Sequence, residues 1–464
     1  MKKIQIKTVL GVLLILNMPL SSYAVEQASS AIAAKPQNFE NCLDFLPGRL
    51  DQNLMLAPAK TSKQTAKTYI LPATPATTQW GYFDNKQPPV LKIKPGDSVV
   101  IETDAASNNQ VVPGVSVDQV KKMNDAVPGR GPHTVTGPIY VDGAEPGDVL
   151  QIHINKIVPR PYGSNNSLPG KGLLPEKFPK GQIKYFYLDT KNMVAQFAPG
   201  IEIPLKPFPG VLAVASSTNG KLDTAPPGKF GGNLDLNQLQ EGTTLYLPVF
   251  IKGGLVWTGD SHAVQGNGEV NLTALETAFE ELNLTINVIK NKKLDWPIAE
   301  TPDSWITVGY DTNLDKAINL LKANTIQFIA GQRKVSKAEA EKIMYANWNC
   351  PVAEVVDGVL GMYCIVPKKA DAPKPAPLLS QDNNDFYVTT AQNKDALQAM
   401  KDATWAMITK IEKDKKMTQL DIYSLLSMTM DCRLSTYVSG AKDFHCVVPK
   451  SLWVDSKSSA QTSN

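Results

Sequence analysis

The sequence lacks the short motifs that identify the common hydrolases, oxidoreductases and nucleotide-binding enzymes. It has no G-x-S-x-G turn, no H-E-x-x-H helix, no C-x-x-C pair, no P-loop and no glycine run typical of dinucleotide sites. Any catalytic chemistry must therefore be carried by residues that these motifs do not mark.

An excess of charge of one sign is also missing. The 464 residues carry a formal net charge of +3, and residues 1–24 contain three lysines and no acid, so the remainder is neutral. Neutrality leaves no electrostatic basis for nucleic-acid binding. With 42% hydrophobic and 20% charged residues, the composition also excludes global disorder, collagen and coiled coil. The length suggests two or three modules at roughly 150 residues per domain.

Beyond the N-terminus, no run of residues is long and apolar enough to span a bilayer. At the N-terminus, lysines precede an apolar run at 9–16, Pro19 follows it, and Ser22-Tyr23-Ala24 offers small residues for cleavage. These features predict a signal peptide at residues 1–24 and a periplasmic or secreted protein with no stable membrane insertion after cleavage. An uncleaved anchor is the alternative, but its apolar run is short for a bilayer core of about 30 Å.

The middle of the chain has the alternation of β-strands. Residues 80–103 predict a strand, a turn and a second strand, and residues 149–155 and 243–257 continue the alternation. Residues 159–181 are rich in proline, glycine and asparagine and too long for an ordinary connection. That stretch is either a lid over a site or an insertion. The pattern predicts a mainly β fold.

The C-terminal third contains two similar units. Residues 314–367 predict a helix, a helix and a hairpin. The apolar residues of the first helix fall on one face, and Ser336 and Glu339 predict a capping box that opens the second helix. The pattern returns at 394–455 after a linker at 368–393, and Val-Pro-Lys closes the predicted hairpin in both copies. We therefore predict a duplicated helix-helix-hairpin unit.

Five cysteines in an exported protein should mostly pair. Cys350 and Cys364 flank one predicted hairpin, and Cys432 and Cys446 flank the other with the same spacing. Positions opposite each other in a hairpin come within the Cα separation of about 4.4 to 6.8 Å that a disulfide needs. We predict these two disulfides, which leaves Cys42 as a free thiol or an intermolecular partner.

Polar residues that could carry chemistry are concentrated at 229–269. Asn233 and Asp235 are two residues apart, as are Asp260 and His262. On extended backbone such pairs project from the same face, so each pair could converge on one ion or substrate. Capping or turn chemistry is the alternative.

Two further residues could join this site. The turn at 265–268 would let Glu269 return to the same region, and His133 stands in a loop rich in glycine and proline just before a strand. Such ligands, with an open position and a carboxylate to move protons, suit a hydrolytic metal site.

Four stretches of the chain resemble the acetamidase/formamidase family. They are WGYFDNKQPPVLKIKPGDSVVIET at 80–103, HTVTGPIYVDGAEPGDVLQIHI at 133–154, PPGKFGGNLDLNQLQEGTTLYLPVFIKGGLVWTGDSHAVQGNGEVNLTALE at 226–276 and WITVGYDTNLDKA at 305–317. The resemblance covers residues 75–367 and implies hydrolysis of short linear amides to a carboxylate and ammonia. It also implies a β-sandwich, jelly-roll-like body with a smaller α/β part.

The resemblance further implies a bound divalent metal, with zinc as the leading candidate and calcium as the alternative. The candidate ligands are Asp260, His262, His133 and Asp235. Asp235 is either a ligand or a residue that orients His262. Glu269 would take the proton of the attacking water, and Asn233 would stabilise the oxyanion.

This chain departs from the family pattern in ways that favour a second hypothesis. Many relatives have a second acid in the G-x-G-E turn where this chain has Asn267, and the second unit and the export signal lie outside the usual family body. The alternative is a non-catalytic periplasmic binding or envelope-interaction protein. The expected organisation is a signal peptide at 1–24, an extension at 25–74, the family body at 75–367, a linker and the second unit. The oligomeric state, a homo-oligomer included, is left open.

Overall fold

The computed structural model describes residues 66–436 and 440–454. The signal peptide, most of the extension and Cys42 lie outside the described residues, so these expectations stay predictions. Within the described part of the chain, no helix combines the length and the hydropathy that a membrane span requires.

The described residues form 25 strands and six helices, so the prediction of a mainly β fold is confirmed. The elements up to residue 300 are β1 (Thr68–Leu71), β2 (Thr78–Trp80), β3 (Tyr82–Asp84), β4 (Leu91–Ile93), β5 (Ser98–Ile101), α1 (Ala106–Asn109), α2 (Val117–Asp125), β6 (Thr134–Val141), β7 (Val149–Pro159), β8 (Tyr162–Ser167), β9 (Gln182–Asp189), β10 (Val194–Ala198), β11 (Ile201–Pro204), β12 (Phe208–Val214), β13 (Lys221–Asp223), β14 (Gly231–Asn233), β15 (Thr244–Pro248), β16 (Val256–Val264), β17 (Leu275–Thr277), β18 (Phe279–Ile289) and β19 (Ile298–Glu300). The remaining elements are β20 (Ser304–Asp311), α3 (Leu314–Arg333), α4 (Lys337–Ala346), β21 (Cys350–Pro351), β22 (Leu360–Pro367), β23 (Phe386–Asn393), α5 (Ala396–Lys415), α6 (Gln419–Thr429), β24 (Asp431–Thr436), β25 (Lys442–Pro449) and a 3-10 helix at Lys450–Leu452.

Two large sheets contain most of the strands. One has eight strands in the order β1-β5-β18-β7-β15-β19-β20-β22, and β1 extends it to residues before 75. The other has eleven strands and includes the path β8-β17-β16-β12-β14, with β6 joining β16 to β2 and β4. The jelly-roll-like description stays a prediction.

Strand β7 illustrates how the sequence pattern forms these sheets. Leu150, Ile152 and Ile154 are fully buried, whereas the alternate residue Asn155 is exposed. Because alternate side chains of a strand point to opposite faces, this pattern places one face of β7 in the core. Ile152 lies opposite Leu245 of β15 on one side and Ile286 of β18 on the other.

The C-terminal part contains the same element order twice. Strands β23 and β25 and helix α5 each begin and end 82 residues after β20, β22 and α3. Both long helices end on a lysine in the left-handed conformation, Lys334 and Lys416. The predicted apolar face of α3 is buried, and Ser336 accepts the backbone N–H of Glu339 at the start of α4 as predicted.

Each unit is longer than the sequence indicated, because a strand precedes its first helix. Strand β23 occupies the last eight residues of the segment assigned to the linker and pairs along its whole length with β25. Strand β20 pairs with β22 in the equivalent register. The two units also pair with each other: Pro351 of β21 lies opposite Arg433 of β24, its own counterpart 82 residues later. A local two-fold axis therefore relates them.

Both predicted disulfides are present, Cys350 with Cys364 and Cys432 with Cys446. One buried hydrophobic cluster joins Met400 and Phe444 of the second unit, Val352 of the first and Phe186 of β9. The second unit is thus part of the main core.

Candidate active site

Strand β16 carries the centre of the site. All nine of its residues are buried, and it pairs with β12, β6 and β17. His262 is fully buried and lies opposite Phe208 of β12 and Glu276 of β17. Such a position excludes bulk water from the histidine ring.

Carboxylates surround this ring. The Nε2 atom of His262 is 3.1 Å from Asp260 Oδ2, 3.3 Å from Glu276 Oε1 and 3.9 Å from Glu269 Oε1. Its Nδ1 atom is 3.7 Å from Asp235 Oδ1. Four acids from separate parts of the chain therefore converge on one histidine.

Asp260 and His262 meet as predicted, but the reason given from regular strand geometry was wrong. Asp260 has a φ of 47°, and the pairing between β12 and β16 skips this residue and Gly210. Asp235 and Glu269 have φ values of 44° and 51°. Left-handed backbone is uncommon for such residues and is found preferentially at functional sites.

Both histidines are held so that Nε2 faces the carboxylates. His262 Nδ1 is 2.9 Å from Gln265 Oε1, and the Gln265 amide donates to the carbonyl oxygens of Asp235 and Ala353. His133 Nδ1 is 3.2 Å from the carbonyl oxygen of Thr224, and its Nε2 is 3.6 Å from Asp260 Oδ1. Each Nδ1 is therefore a donor, which is the arrangement typical of histidines that bind metal through Nε2.

Asn233 links Asp235 to one further acid of the site, Asp357. Its Nδ2 atom donates to Asp235 Oδ2 at 2.9 Å and to Asp357 Oδ2 at 2.7 Å. Asp357 lies beyond β21 in the first C-terminal unit, where Glu354 accepts the backbone N–H groups of Val356 and Asp357. That unit thus contributes a carboxylate to the site.

The loop that carries Glu269 is held from both sides by the two C-terminal units. The N–H of Gly268 donates to Ala353 O in the first unit, and the N–H of Gly266 donates to Ser427 O in the second. The Asn271 N–H also donates to Ser427 Oγ. The second unit therefore helps to position Glu269, and none of its described residues adds a carboxylate to the cavity lining.

Asn267, the departure from the family pattern, is a structural residue here. Its Nδ2 donates to Val352 O at 2.7 Å, and its Oδ1 accepts the N–H of Cys432 at 3.2 Å. It is 5% exposed and bridges the two units. The presence of Asn267 in place of an acid was one ground for the hypothesis of a non-catalytic protein. It thus concerns a residue that links backbone segments.

Burial and mutual repulsion dominate the electrostatics of the acids. Burial raises the pKa of Glu269 and of Asp235 well above the usual range, and each acid has others close by. Burial also raises the pKa of Glu276, and it raises that of Asp357 to about 6. So many buried carboxylates call for a compensating positive charge.

His262 and Asp260 show the opposite effect. Burial would lower the pKa of His262, but Glu276 and Asp260 raise it well above its usual range. Burial would raise the pKa of Asp260, yet His133 and His262 hold it below its usual range. The site is thus arranged to stabilise positive charge at its centre.

The donor set fits a divalent cation. Asp260, His262 and Glu276 form one group whose ligand atoms lie within 4.8 Å of one another, and Asp235, His262 and Glu269 form a second. Among the described residues, the buried atoms His262 Nε2 and Asp235 Oδ1 make no hydrogen bond. Both groups offer carboxylate and imidazole, which are ligands of zinc and similar metals.

Gly210 keeps the space beside these ligands clear. A Cβ atom added to Gly210 would lie 2.5 Å from Asp260 Oδ2, 2.8 Å from His262 Cε1 and 2.9 Å from Asp235 Oδ1. Only glycine can lie this close to the candidate ligands without displacing one of them.

A cavity of about 530 Å³ opens onto the cluster. Its polar lining includes the site residues His133, Asn233, Asp260, Glu269, Glu276 and Asp357. Residues 159–181, for which the sequence left two alternatives, form β8 and the turn after it, and Tyr162, Leu168 and Lys171 from this stretch line the cavity. That stretch is part of the wall of the site.

The structure brings together all six residues singled out from the sequence: His133, Asn233, Asp235, Asp260, His262 and Glu269. Sequence reasoning missed Glu276 and Asp357. Glu276 is an acid between Leu275 and Thr277, which are both buried, and an acid in a predicted strand is a signal that could have marked it. Asp357 was interpreted only as a hairpin turn, and nothing local distinguishes it from one.

Comparison with known proteins identifies a family. The model of the acetamidase/formamidase family matches residues 76–222 and 218–447. The chain is 23% identical over 275 residues to the acetamidase of Mycolicibacterium smegmatis, a match that covers 46% of this chain and 67% of that protein. The family match runs through the second C-terminal unit, which the sequence motifs had placed outside the family body.

Solved structures are consistent with the same family assignment. The acetamidase of Bacillus halodurans superposes with a TM-score of 0.59 at 27% identity and covers 64% of this chain and 97% of its own. The gamma lactamase of Delftia acidovorans covers 83% of this chain and 93% of its own, with a TM-score of 0.57 at 16% identity. That likeness concerns the fold alone. The share of the chain that it covers is larger than residues 75–367, which contain the body and the first C-terminal unit.

Proposed function

Because the chain belongs to the acetamidase/formamidase family, we propose that it is an exported, metal-assisted amidohydrolase. The reaction is RCONH₂ + H₂O → RCOO⁻ + NH₄⁺, in which the C–N bond breaks and a C–O bond forms. The observation that carries the proposal is the buried cluster around His262, which faces a cavity large enough for an amide.

We assign the metal to Asp260, His262 and Glu276. Asp260 and Glu276 both line the cavity, and both lie close to the Nε2 atom that Gln265 leaves free on His262. A divalent cation bound there would polarise the amide carbonyl and lower the pKa of a water molecule. Zinc suits the histidine ligand better than calcium, which takes oxygen ligands. His133 remains a candidate fourth ligand, because its Nε2 atom faces Asp260.

Glu269 is the proposed proton carrier. Its carboxylate lines the cavity beside the ligand group and lies further from His262 Nε2 than those of Asp260 and Glu276. In the proposed reaction it accepts a proton from the attacking water and delivers it to the leaving nitrogen. Its loop is held by backbone hydrogen bonds to both C-terminal units, which position its backbone.

Asn233 takes a different role from the one the sequence suggested. Both N–H groups of its amide are engaged by Asp235 and Asp357, so it has no donor left for an oxyanion. Among the described residues, its buried Oδ1 makes no hydrogen bond, and this acceptor suits the NH₂ group of a bound amide. Asp235 lies behind Asn233 and beside His262 Nδ1, which suits a residue that orients both.

Export is proposed from the sequence of residues 1–24 and is supported by two disulfides, which persist in oxidising compartments. N-terminal sequencing of protein purified from the periplasm or medium should begin at Val25. Recovery of a chain that still begins at Met1 would overturn this assignment.

The test of the activity is ammonia release from a panel of linear amides by purified protein, with metal content measured on the same sample. We expect ammonia and carboxylate in equal amounts, about one metal ion per chain for the single proposed group, and loss of activity on chelation that the metal restores. A folded, metal-loaded protein that releases no ammonia from any amide would refute the proposal.

A further inference from the structure

The cavity is much larger than the smallest amides require. Acetamide has four non-hydrogen atoms and needs ~120 Å³, if each atom takes about the 30 Å³ that one water occupies in the liquid. The cavity measures about 530 Å³, which lies within the range that holds ligands of drug size. Most of this space would contain only water if the substrate were acetamide.

Two groups of lining residues differ in chemistry. One group consists of the carboxylates and histidines described above. The other consists of the apolar or aromatic residues Val111, Val120, Leu168, Leu272 and Tyr185, which pack together and which we call the apolar arm. Val111, Val120 and Leu168 are 7%, 3% and 8% exposed and pack together as one cluster. An apolar surface of this kind is kept from solvent yet faces the space next to the reacting centre.

The segment at residues 107–125, which contains helix α2 and forms one wall of the arm, is held in place by several hydrogen bonds. Helix α2 begins with a reciprocal capping box between Ser116 and Gln119. The hydroxyl of Tyr185 donates to the carbonyl oxygen of Val115 at 2.8 Å, which ties this wall to strand β9 on the other side. Ser107 adds a bond to Asn124 Oδ1 at 3.2 Å. The arm is therefore preformed, which reduces the ordering cost of filling it.

From these observations we propose that the substrate is a primary amide whose acyl group is an extended apolar chain or an aromatic ring, held in the apolar arm. This inference rests on the proposed amide hydrolysis and narrows its substrate class. The orientation follows from charge: the leaving nitrogen becomes ammonium and belongs beside the carboxylates, so the acyl group extends the other way.

The first experiment compares acetamide, butyramide, hexanamide and phenylacetamide on the wild-type protein. Each buried methylene is worth ~0.8 kcal/mol, a factor of about four in kcat/KM. From acetamide to hexanamide we expect kcat/KM to rise by about 10²-fold. If acetamide were hydrolysed as efficiently as hexanamide and phenylacetamide, the inference would be wrong while the proposed function would stand. If the folded, metal-loaded protein hydrolysed no member of the panel, both would fail.

A matched pair of variants tests the location of the arm. Val111→Trp fills the arm, whereas Val112→Trp adds the same ring to the next residue, which is 41% exposed and does not line the cavity. We expect Val111→Trp to abolish the preference for the longer chain, so that kcat/KM for hexanamide falls by about 10²-fold relative to that for acetamide. Val112→Trp should keep the wild-type profile.

Val120→Phe, on helix α2, is a second way to fill the arm if Val111→Trp does not fold, and the same loss of preference is expected. A purely structural defect would lower kcat/KM for all four amides together. Retention of the full preference for hexanamide in a folded Val111→Trp or Val120→Phe protein would overturn the assignment of the arm.

Discussion

Glu269 and Glu276 both approach His262, and we predict that the same substitution has different consequences at each. The carboxylates of Glu269 and Glu276 lie 3.9 and 3.3 Å from His262 Nε2. Each glutamate is a candidate ligand in a different one of the two groups. Replacing Glu by Gln keeps the size of the side chain and removes its charge and its capacity to accept a proton.

Glu269→Gln should lower turnover by about the 10² to 10⁴ that a general base contributes, with little change in bound metal. Glu276→Gln should weaken metal binding by more than the roughly 10- to 100-fold lost when an outer partner of a ligand is removed, because a charged ligand itself is lost. The matched control is Glu280→Gln, an exposed acid on β18, which should behave as wild type.

The assay is metal stoichiometry and affinity together with ammonia release for the three variants, on the best amide of the wild type. A Glu269→Gln protein that lost its metal would identify Glu269 as a ligand with Asp235 and His262, and the assignment of the base would be refuted. A Glu276→Gln protein with wild-type affinity would refute the ligand assignment.

Three further substitutions test the surroundings of the site. Gly210→Ala places a Cβ 2.5 Å from Asp260 Oδ2, so we expect reduced metal content and a loss of ~1–3 kcal/mol in the free energy of unfolding; metal content equal to wild type would contradict this. Asn267→Asp loses the donor to Val352 O and buries a charge, so a loss of ~1–3 kcal/mol is expected by denaturant unfolding, and an unchanged midpoint would count against the bridge. Cys432→Ser opens a loop of about fifteen residues and should lower the free energy of unfolding by ~3 kcal/mol in the entropic model. Non-reducing peptide mapping of the wild type that joined the first cysteine pair to the second would disprove the pairing.

Sequence patterns were sufficient wherever one element determines its own structure. The alternation in β7, the apolar face of α3 and the cap at Ser336 are local, and each occurs as predicted. The equal cysteine spacing predicted both disulfides correctly. In the second unit the two cysteines lie opposite each other in the β24–β25 pair, as a hairpin requires, whereas β21 and β22 of the first unit belong to different sheets. The duplication was recognised because the order and spacing of residues repeat along the chain, although the strand β23 that begins the second unit was assigned to a linker.

Within the site, the polar residues near the reacting centre could be named from the sequence, but their roles could not. The prediction of convergence at Asp260 was correct and its reason was not, since a left-handed residue rather than a regular strand turns the carboxylate inward. Asn233 illustrates the same limit: an amide is a donor or an acceptor according to which neighbours engage it, and Asp357, one of those neighbours, is 124 residues away.

The sequence by itself therefore determined the family, the mainly β composition, the repeated unit and a set of polar candidates, because these depend on order and spacing along one stretch of chain. Only the tertiary structure decided that Glu276 lies with Asp260 and His262 in a group that could hold a metal ion, that both C-terminal units hold the Glu269 loop, and that apolar residues line the same cavity as the acids. These features arise where strands and loops distant in sequence pack together. The energies that select such contacts are those of long-range pairing and burial, which local periodicity does not encode.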